Sequence, residues 1–387
     1  MYWPLIKNTL TFFDRFKAAN HLLFSYRLTN GIKVQEFEKQ WSDWLGIKYS
    51  LYVSSGSTAN FLLLAAVKEI FNLKTDDKVL LPSCTWSTNI SPVIQLGLKP
   101  VFCDINLKNF SFDEEDLDFI SKNHDIKVIF ITHLLGLSAN NELIQKKFPR
   151  SIILEDTCES HGVKDKNNHK RGTKSVGSTF SFYFGHHMST IEGGMVCTNN
   201  EKLYDLMRMK RSHGMSRESI NHERFIKKYP NIDPKFLFVT DGYNFRNTEI
   251  GAVLGLSQLK KLNRMIEIRK KNYSLFHAYL KKNDTYFYVP DLQPGNSSFC
   301  LPIVLKDGSK LDNLKKEFTR NNIEYRPIVS GNLLNHPAFS KYELETQKQN
   351  TNIEILHNNG VYIGNNHFVK KNHINFLCKI LDQIIIA

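Results

Sequence analysis

From about residue 50, short and nearly unbroken apolar runs alternate with segments whose apolar residues recur at helical spacing. Residues 78–81, 100–103, 128–131 and 151–154 read as strands buried on both faces. Residues 59–70 and 113–122 between them read as helices. That alternation predicts an α/β domain around a mainly parallel, mixed sheet, with ligand chemistry gathered where strands end and loops begin. A long helix over 256–275 closes the pattern. Beyond it lie strand-like runs at 286–289 and 299–304, a helix at 310–321 and a closing helix at 372–385. These predict a smaller α+β unit. The boundary is set near residue 265, dividing a large domain, 1–264, from a small C-terminal domain, 265–387.

A chain of 387 residues is long enough to bury a substantial core. Its longest unbroken apolar run, 61–67, is far short of the roughly 20 residues that span a membrane. Lys7 interrupts the N-terminus before a signal-like apolar stretch forms, so a cytoplasmic protein with no membrane partner is expected. The net charge of +13 raises nucleic-acid binding, but the basic residues are spread along the whole chain. Their densest group, Lys260, Lys261, Arg264, Arg269, Lys270 and Lys271, shares the long helix with an apolar face of Leu256, Leu259, Leu262 and Ile266. It reads as the solvated side of that helix, and a basic surface also attracts small anions such as a nucleotide diphosphate. No nucleic-acid partner is expected. The six cysteines are scattered without a CxxC or CxC pair, so they read as buried thiols rather than ligands of a metal or iron–sulfur centre.

Four segments carry groups suited to chemistry. Ser54-Ser55-Gly56-Ser57-Thr58-Ala59-Asn60 stands directly before an apolar-periodic helix, where free backbone amides and the positive dipole end suit an anion. The same hydroxyl residues make ordinary N-caps. Asp156 follows a buried strand, placed either to meet a bound cofactor or to cap the next turn. In Phe182-Tyr183-Phe184-Gly185-His186-His187 the histidines are adjacent, so on an extended segment at most one faces a site. Glu192-Gly193-Gly194 follows, its glycines permitting close backbone approach before another strand. The fourth segment, Gly242-Tyr243-Asn244-Phe245-Arg246, enters a helix and reads alone as a loop and cap with a surface charge.

Taken in this order and at these separations, the four segments resemble the sugar aminotransferase and dehydratase family of fold-type-I pyridoxal-phosphate (PLP) enzymes. The resemblance covers most of the chain. It implies a PLP-dependent transferase fold, with pyridoxal 5'-phosphate or its amine form, pyridoxamine 5'-phosphate (PMP), as cofactor. It implies that Gly56, Ser57 and Ser181 hold the cofactor phosphate, that Asp156 pairs with the pyridine nitrogen, and that Trp86 covers the ring. It implies a homodimer with shared sites, because the family's loop matching Gly242 to Arg246 reaches a partner's site, with Asn244 on the phosphate. In the family a lysine stands six residues before the glutamate that matches Glu192. Here that position is His186, and no lysine occurs between Lys174 and Lys202. An imidazole cannot form the lasting carbon–nitrogen double bond that a lysine makes with the cofactor aldehyde, but it moves protons near neutral pH. A second departure is Ile191, where the family usually has glycine.

One branch of the family has the same histidine, the sugar 3-dehydratases that make 3,6-dideoxyhexoses. His186-His187, Glu159 three residues after Asp156, and Arg326-Pro327-Ile328-Val329-Ser330-Gly331-Asn332 look like that branch. Its CDP-sugar members hold an iron–sulfur cluster on clustered cysteines, absent here, so the better match is to cluster-free members acting on GDP-4-keto-6-deoxymannose. The resemblance therefore implies a lyase that takes an amino group from L-glutamate and removes the C3 hydroxyl of a GDP-4-keto-6-deoxy sugar. That reaction belongs to 3,6-dideoxysugar biosynthesis for lipopolysaccharide or capsule. It implies His186 as the catalytic base, Glu159 as a further cofactor contact, and His213, Arg217, Arg246 and Arg326 as substrate contacts. The same motifs leave open 3-dehydration of a heptose or another nucleotide sugar, an aminotransferase using a different lysine, and a non-catalytic PLP-binding regulatory protein.

Overall fold

Seven strands form the central sheet of the structure, a computed structural model that describes residues 2–386. They are β1 (Tyr49–Val53), β2 (Lys78–Pro82), β3 (Lys99–Cys103), β4 (Ile126–Thr132), β5 (Ile152–Asp156), β6 (Gly177–Ser181) and β7 (Gly194–Thr198), in the order β1-β7-β6-β5-β4-β2-β3. The five strands β3, β2, β4, β5 and β6 run parallel. β7 is antiparallel to both its neighbours, which returns β1 to the direction of the parallel set. The four apolar runs therefore form strands of a mainly parallel mixed sheet, as their pattern predicts. The topology brings the carboxyl ends of β1, β2, β4, β5 and β6 to one edge.

Of the helices α1 (Phe12–Phe24), α2 (Ile32–Leu45), α3 (Gly56–Ile70) and α4 (Ser87–Gln95), α3 and α4 begin at the site that forms at this edge. Leu62, Leu63, Leu64, Ala66 and Val67 of α3 are fully buried in the sheet's core, which fixes the start of that helix against the strand ends. A second, four-stranded sheet holds β8 (Phe287–Tyr288), β9 (Cys300–Leu305), β10 (Tyr325–Pro327) and β11 (Gly360–Gly364), antiparallel in the order β10-β11-β9-β8. The helices Leu311–Arg320 and Lys371–Ile386 contribute to its core.

A single helix of 34 residues, Glu249–Lys282, joins the two cores. Leu256, Leu259 and Leu262 pack with α2 residues, whereas Tyr273, Phe276 and Leu280 pack with the second sheet. Residue 265 lies inside this helix. The basic group on it is not one solvated stripe, as the sequence reading held. Lys261 pairs with Asp14 of α1 at 2.7 Å, and Arg269 is buried. The helix is packed by α1, α2 and the second sheet, so it has more than one buried face. Cys84, Cys103, Cys197 and Cys300 are buried free thiols, and Cys158 and Cys378 are half-buried. Among the described residues no helix is long and apolar enough to cross a membrane.

Candidate active site

A cavity of about 350 Å³ opens where the strand ends meet the second sheet. At one end, β1 gives way to Ser54 and α3 begins. Ser55 Oγ accepts from the Thr58 amide at 3.1 Å, and Thr58 Oγ1 accepts from the Ser55 amide at 3.0 Å. This reciprocal cap and the Ala59 amide bond to the Ser55 carbonyl leave the Gly56 and Ser57 amides free, on residues that line the cavity. A Cβ on Gly56 would lie 2.7 Å from Ser181 Cβ, so only glycine lets α3 come this close to the end of β6. A Cβ on Gly194 would overlap the Ser55 carbonyl. The glycines thus bring two amides and one hydroxyl together around a space suited to an anion.

The floor is Asp156, the last residue of β5. Its Oδ2 accepts from Asn60 Nδ2 at 2.9 Å and from Asn89 Nδ2 at 2.8 Å, and its Oδ1 accepts from the Cys158 amide at 2.8 Å. The two amide oxygens are occupied in turn. Thr179 Oγ1 donates to Asn60 Oδ1 at 2.6 Å, and Thr85 Oγ1 donates to Asn89 Oδ1 at 2.8 Å. Asn60 stands one helical turn after Gly56, so α3 supplies the free amides and also orients the carboxylate. Trp86, directly before α4, stands over half exposed at the rim.

His186 lines the same cavity. Its amide bonds the Tyr183 carbonyl at 3.0 Å, so the paired histidines sit in a turn and not on the extended segment that sequence suggested. The turn still sends them apart. His187 is buried, with Nε2 donating to the Ser297 carbonyl at 3.3 Å, while His186 lines the cavity. His186 Nδ1 is buried without a partner, which leaves Nε2 as the unburied nitrogen. Behind it lie His161, whose two ring nitrogens are both unpartnered, and Arg269, which donates to the Phe299 carbonyl at 2.8 Å and to the Asn365 carbonyl. Among the described residues Arg269 has no carboxylate partner. Burial pushes the His186 imidazole down to about 4; the Asp156 charge works against that shift and the Arg269 guanidinium adds to it. His186 is therefore neutral, and able to accept a proton, at pH 7. Burial, opposed by the Leu135 amide at 3.0 Å and helped by the Asp156 charge, pushes the Glu159 carboxyl up to about 7. Among the described residues, no lysine lines the cavity.

Of the residues singled out from sequence, Gly56, Ser57, Trp86, Asp156, Glu159, Ser181, His186 and Arg326 meet in this one cavity. Asn244, Arg246, His213 and Arg217 do not line it. Arg246 donates to Asn244 Oδ1 at 3.0 Å and to His213 Nε2 at 3.1 Å, which makes a separate cluster, and Arg217 is exposed on the turn Ser216–Glu218. A larger cleft of about 900 Å³ beside the long helix contains none of the twelve. Sequence reasoning missed Asn60, Asn89, His161, Arg269, Leu5 and Ile6. Asn60 had a signal, a polar residue inside an apolar helical run. Ile191 has φ of +72°, and its position is thus one that favours glycine on backbone grounds.

The model of the DegT/DnrJ/EryC1/StrS aminotransferase family matches residues 13–382. The chain belongs to that family. It is 34% identical over 390 residues to the GDP-4-keto-6-deoxy-D-mannose 3-dehydratase of Escherichia coli O55:H7, covering 98% of this chain and 99% of the relative. The solved E. coli GDP-4-keto-6-deoxy-D-mannose-3-dehydratase with bound hydrated PLP superposes with a TM-score of 0.90 at 31% identity, over 98% of this chain and 99% of that one. A GDP-4-keto-6-deoxymannose-3-dehydratase with a trapped PLP-glutamate geminal diamine matches with a TM-score of 0.88 at 32% identity, over 98% and 100%. The fold is that of PLP-dependent aminotransferases, an α/β architecture around the mixed sheet described above.

Proposed function

We propose that this protein is a PLP/PMP-dependent 3-dehydratase acting on a GDP-4-keto-6-deoxy sugar of the mannose type, with L-glutamate as amino donor. The observation that carries the proposal is the residue that shares the cavity with Asp156. A neutral histidine stands there, in the position where the family has a lysine, and no lysine lines the cavity among the described residues. The similarity to two GDP-4-keto-6-deoxymannose 3-dehydratases along nearly the whole chain supports the same reading.

The cavity fits the cofactor. The start of α3 leaves free amides for a phosphate and Gly56 lets the Ser181 hydroxyl come close to them, Asp156 is fixed to receive a pyridine N–H, and Trp86 is free to cover a ring. Bound there, PLP or PMP supplies an electron sink for the bond-breaking steps. His186 Nε2 would take a proton at the cofactor's C4′ carbon and return it to the C3 hydroxyl, which would leave as water. A base in this role contributes roughly 10²–10⁴-fold. Glu159, its carboxyl pushed up by burial, would contact the cofactor, and Arg326 would meet the substrate from β10. Without a lysine to exchange with the product, hydrolysis yields ammonia and the 3-deoxy-4-keto sugar.

A second copy of the chain completes the site. Asn244 is exposed and lies outside its own chain's cavity, and α1 presents Phe12 and Phe24 at 83% and 80% exposure, an apolar face that suits a dimer contact. In that homodimer Asn244 reaches the phosphate of the opposite site, with His213, Arg217 and Arg246 beside its substrate. Mixing inactive His186→Asn and Asn244→Ala proteins should restore activity, because each mixed dimer holds one intact site. Absence of restoration in verified mixed dimers would remove the shared site. The reaction itself is tested by supplying PLP, L-glutamate and GDP-4-keto-6-deoxymannose. Free ammonia with a 3-deoxy-4-keto sugar supports dehydration, and an amino sugar as product refutes it.

A further inference from the structure

One wall of the cavity comes from the N-terminal segment, which is fastened to the second sheet. Trp3 is buried beside β10, exchanging backbone hydrogen bonds with Asn322 and Glu324 at 2.9 and 3.0 Å, and its indole N–H donates to the Gly364 carbonyl at 2.9 Å. Glu324 grips the segment from both sides. It accepts from the Tyr2 hydroxyl at 2.6 Å and from the Leu5 amide at 2.7 Å. A Cβ on Gly364 would lie 2.6 Å from the Pro4 carbonyl oxygen, so glycine there lets the segment lie flat on β11. The strap then delivers half-buried Leu5 and Ile6 to the cavity. Ile6 Cδ1 lies 2.9 Å from where a Cβ on Gly185 would stand, beside the residue that leads into His186.

Leu134, Phe299, Trp86 and Tyr362 also give the cavity apolar surface, but Ile6 is an aliphatic side chain packed against Gly185, next to His186, and so close to the carbons that react. A 4-keto-6-deoxy sugar has one group that offers no hydrogen bond, the C6 methyl on C5, next to the carbon that reacts with the cofactor. We infer that Leu5 and Ile6 form the seat of the C6 methyl, and that Ile6 sets how many carbons fit beyond C5. This inference rests on the dehydratase reading and deepens it. It makes the strap a determinant of chain length at C6, selecting a 6-deoxyhexose over its 6-deoxyheptose homologue.

The test compares kcat/KM for GDP-4-keto-6-deoxymannose and a GDP-4-keto-6-deoxyheptose in wild type, Ile6→Val and Ile6→Ala. Loss of the methyl contact should cost the hexose roughly fourfold or more in Ile6→Ala. The heptose carries a hydroxymethyl on C6 in place of one hydrogen, and the heptose-to-hexose ratio should rise roughly tenfold, the smaller end of what an added carbon or hydroxyl in an apolar pocket decides. Ile6→Val should move the ratio the same way by less. An unchanged ratio, with both sugars losing the same factor, overturns the inference and makes the strap merely structural. Failure of the wild type to deoxygenate either sugar while it still converts glutamate to 2-oxoglutarate would instead sink the parent reading, and this inference with it.

Discussion

Asp156 and His186 face the same cavity from opposite extremes of hydrogen-bond satisfaction. Asp156 accepts three hydrogen bonds, and the two asparagines that hold it are themselves held by Thr179 and Thr85. His186 has a buried, unpartnered Nδ1 and neighbours, His161 and Arg269, that also carry unpartnered nitrogens. The difference suits the two roles proposed for them. A group that must keep one charge and one orientation gains from a closed network, whereas a group that must take up and release a proton is left free to change state.

The comparison breaks most visibly at His186. Replacing His186 with Asn should cut dehydration roughly 10²–10⁴-fold while PLP affinity changes little, because the phosphate cradle and Asp156 are untouched. Turnover and cofactor titration on the same protein separate the two effects. On the other side, Asn60→Leu removes a donor from Asp156 and strands the Thr179 hydroxyl in a buried place. It should destabilise the protein by about 1–3 kcal/mol, read by urea unfolding, and weaken cofactor binding. A drop in stability without any loss of PLP affinity would show that the network does not position Asp156.

The pH dependence sharpens the same contrast. His186 is held near 4 by burial, below its ordinary value, and burial drives His161 and His187 down as well. The unfolded chain takes up these protons below about pH 6.5, while the folded protein resists until about pH 4 for His186. The histidines' contribution to stability should therefore be full above pH 6.5 and fall as pH drops toward 4, at no more than about 1.4 kcal/mol per unit for each, while the raised Glu159 carboxyl works in the opposite sense below about pH 7. His186→Asn should make that slope shallower. The smallest effect is expected at Ile191. A β-branched residue at φ of +72° is strained, and Ile191→Gly should return up to about 1 kcal/mol in thermal unfolding.

What could be read from sequence follows the range over which each signal acts. The phosphate cradle is local, Gly56 and Ser57 directly before an apolar helix, and the missing lysine is a matter of counting back from Glu192. Gly56, Ser57 and His186 all line the one cavity. The sheet was legible because strands buried on both faces lose their polar alternation. The partners of Asp156 were not, since Asn60 and Asn89 stand 96 and 67 residues away from it and only the fold brings them together. Arg269 was misread because helical periodicity finds one apolar face, and this helix packs on several. The strap had no periodicity to reveal it. Trp3 and Glu324 are far apart in the chain, and the pairing of the strap with the segment 322–324 just before β10 is what carries Leu5 and Ile6 to the cavity.

The central claim is that His186 moves the proton a lysine would move in other members of the family. It is tested most directly with PMP carrying a hydrogen isotope at C4′, bound to wild-type and His186→Asn proteins and mixed with the 4-keto sugar. Release of label to solvent should be fast in the wild type and slowed roughly 10²–10⁴-fold in the variant. Equal release from the two proteins would contradict the assignment.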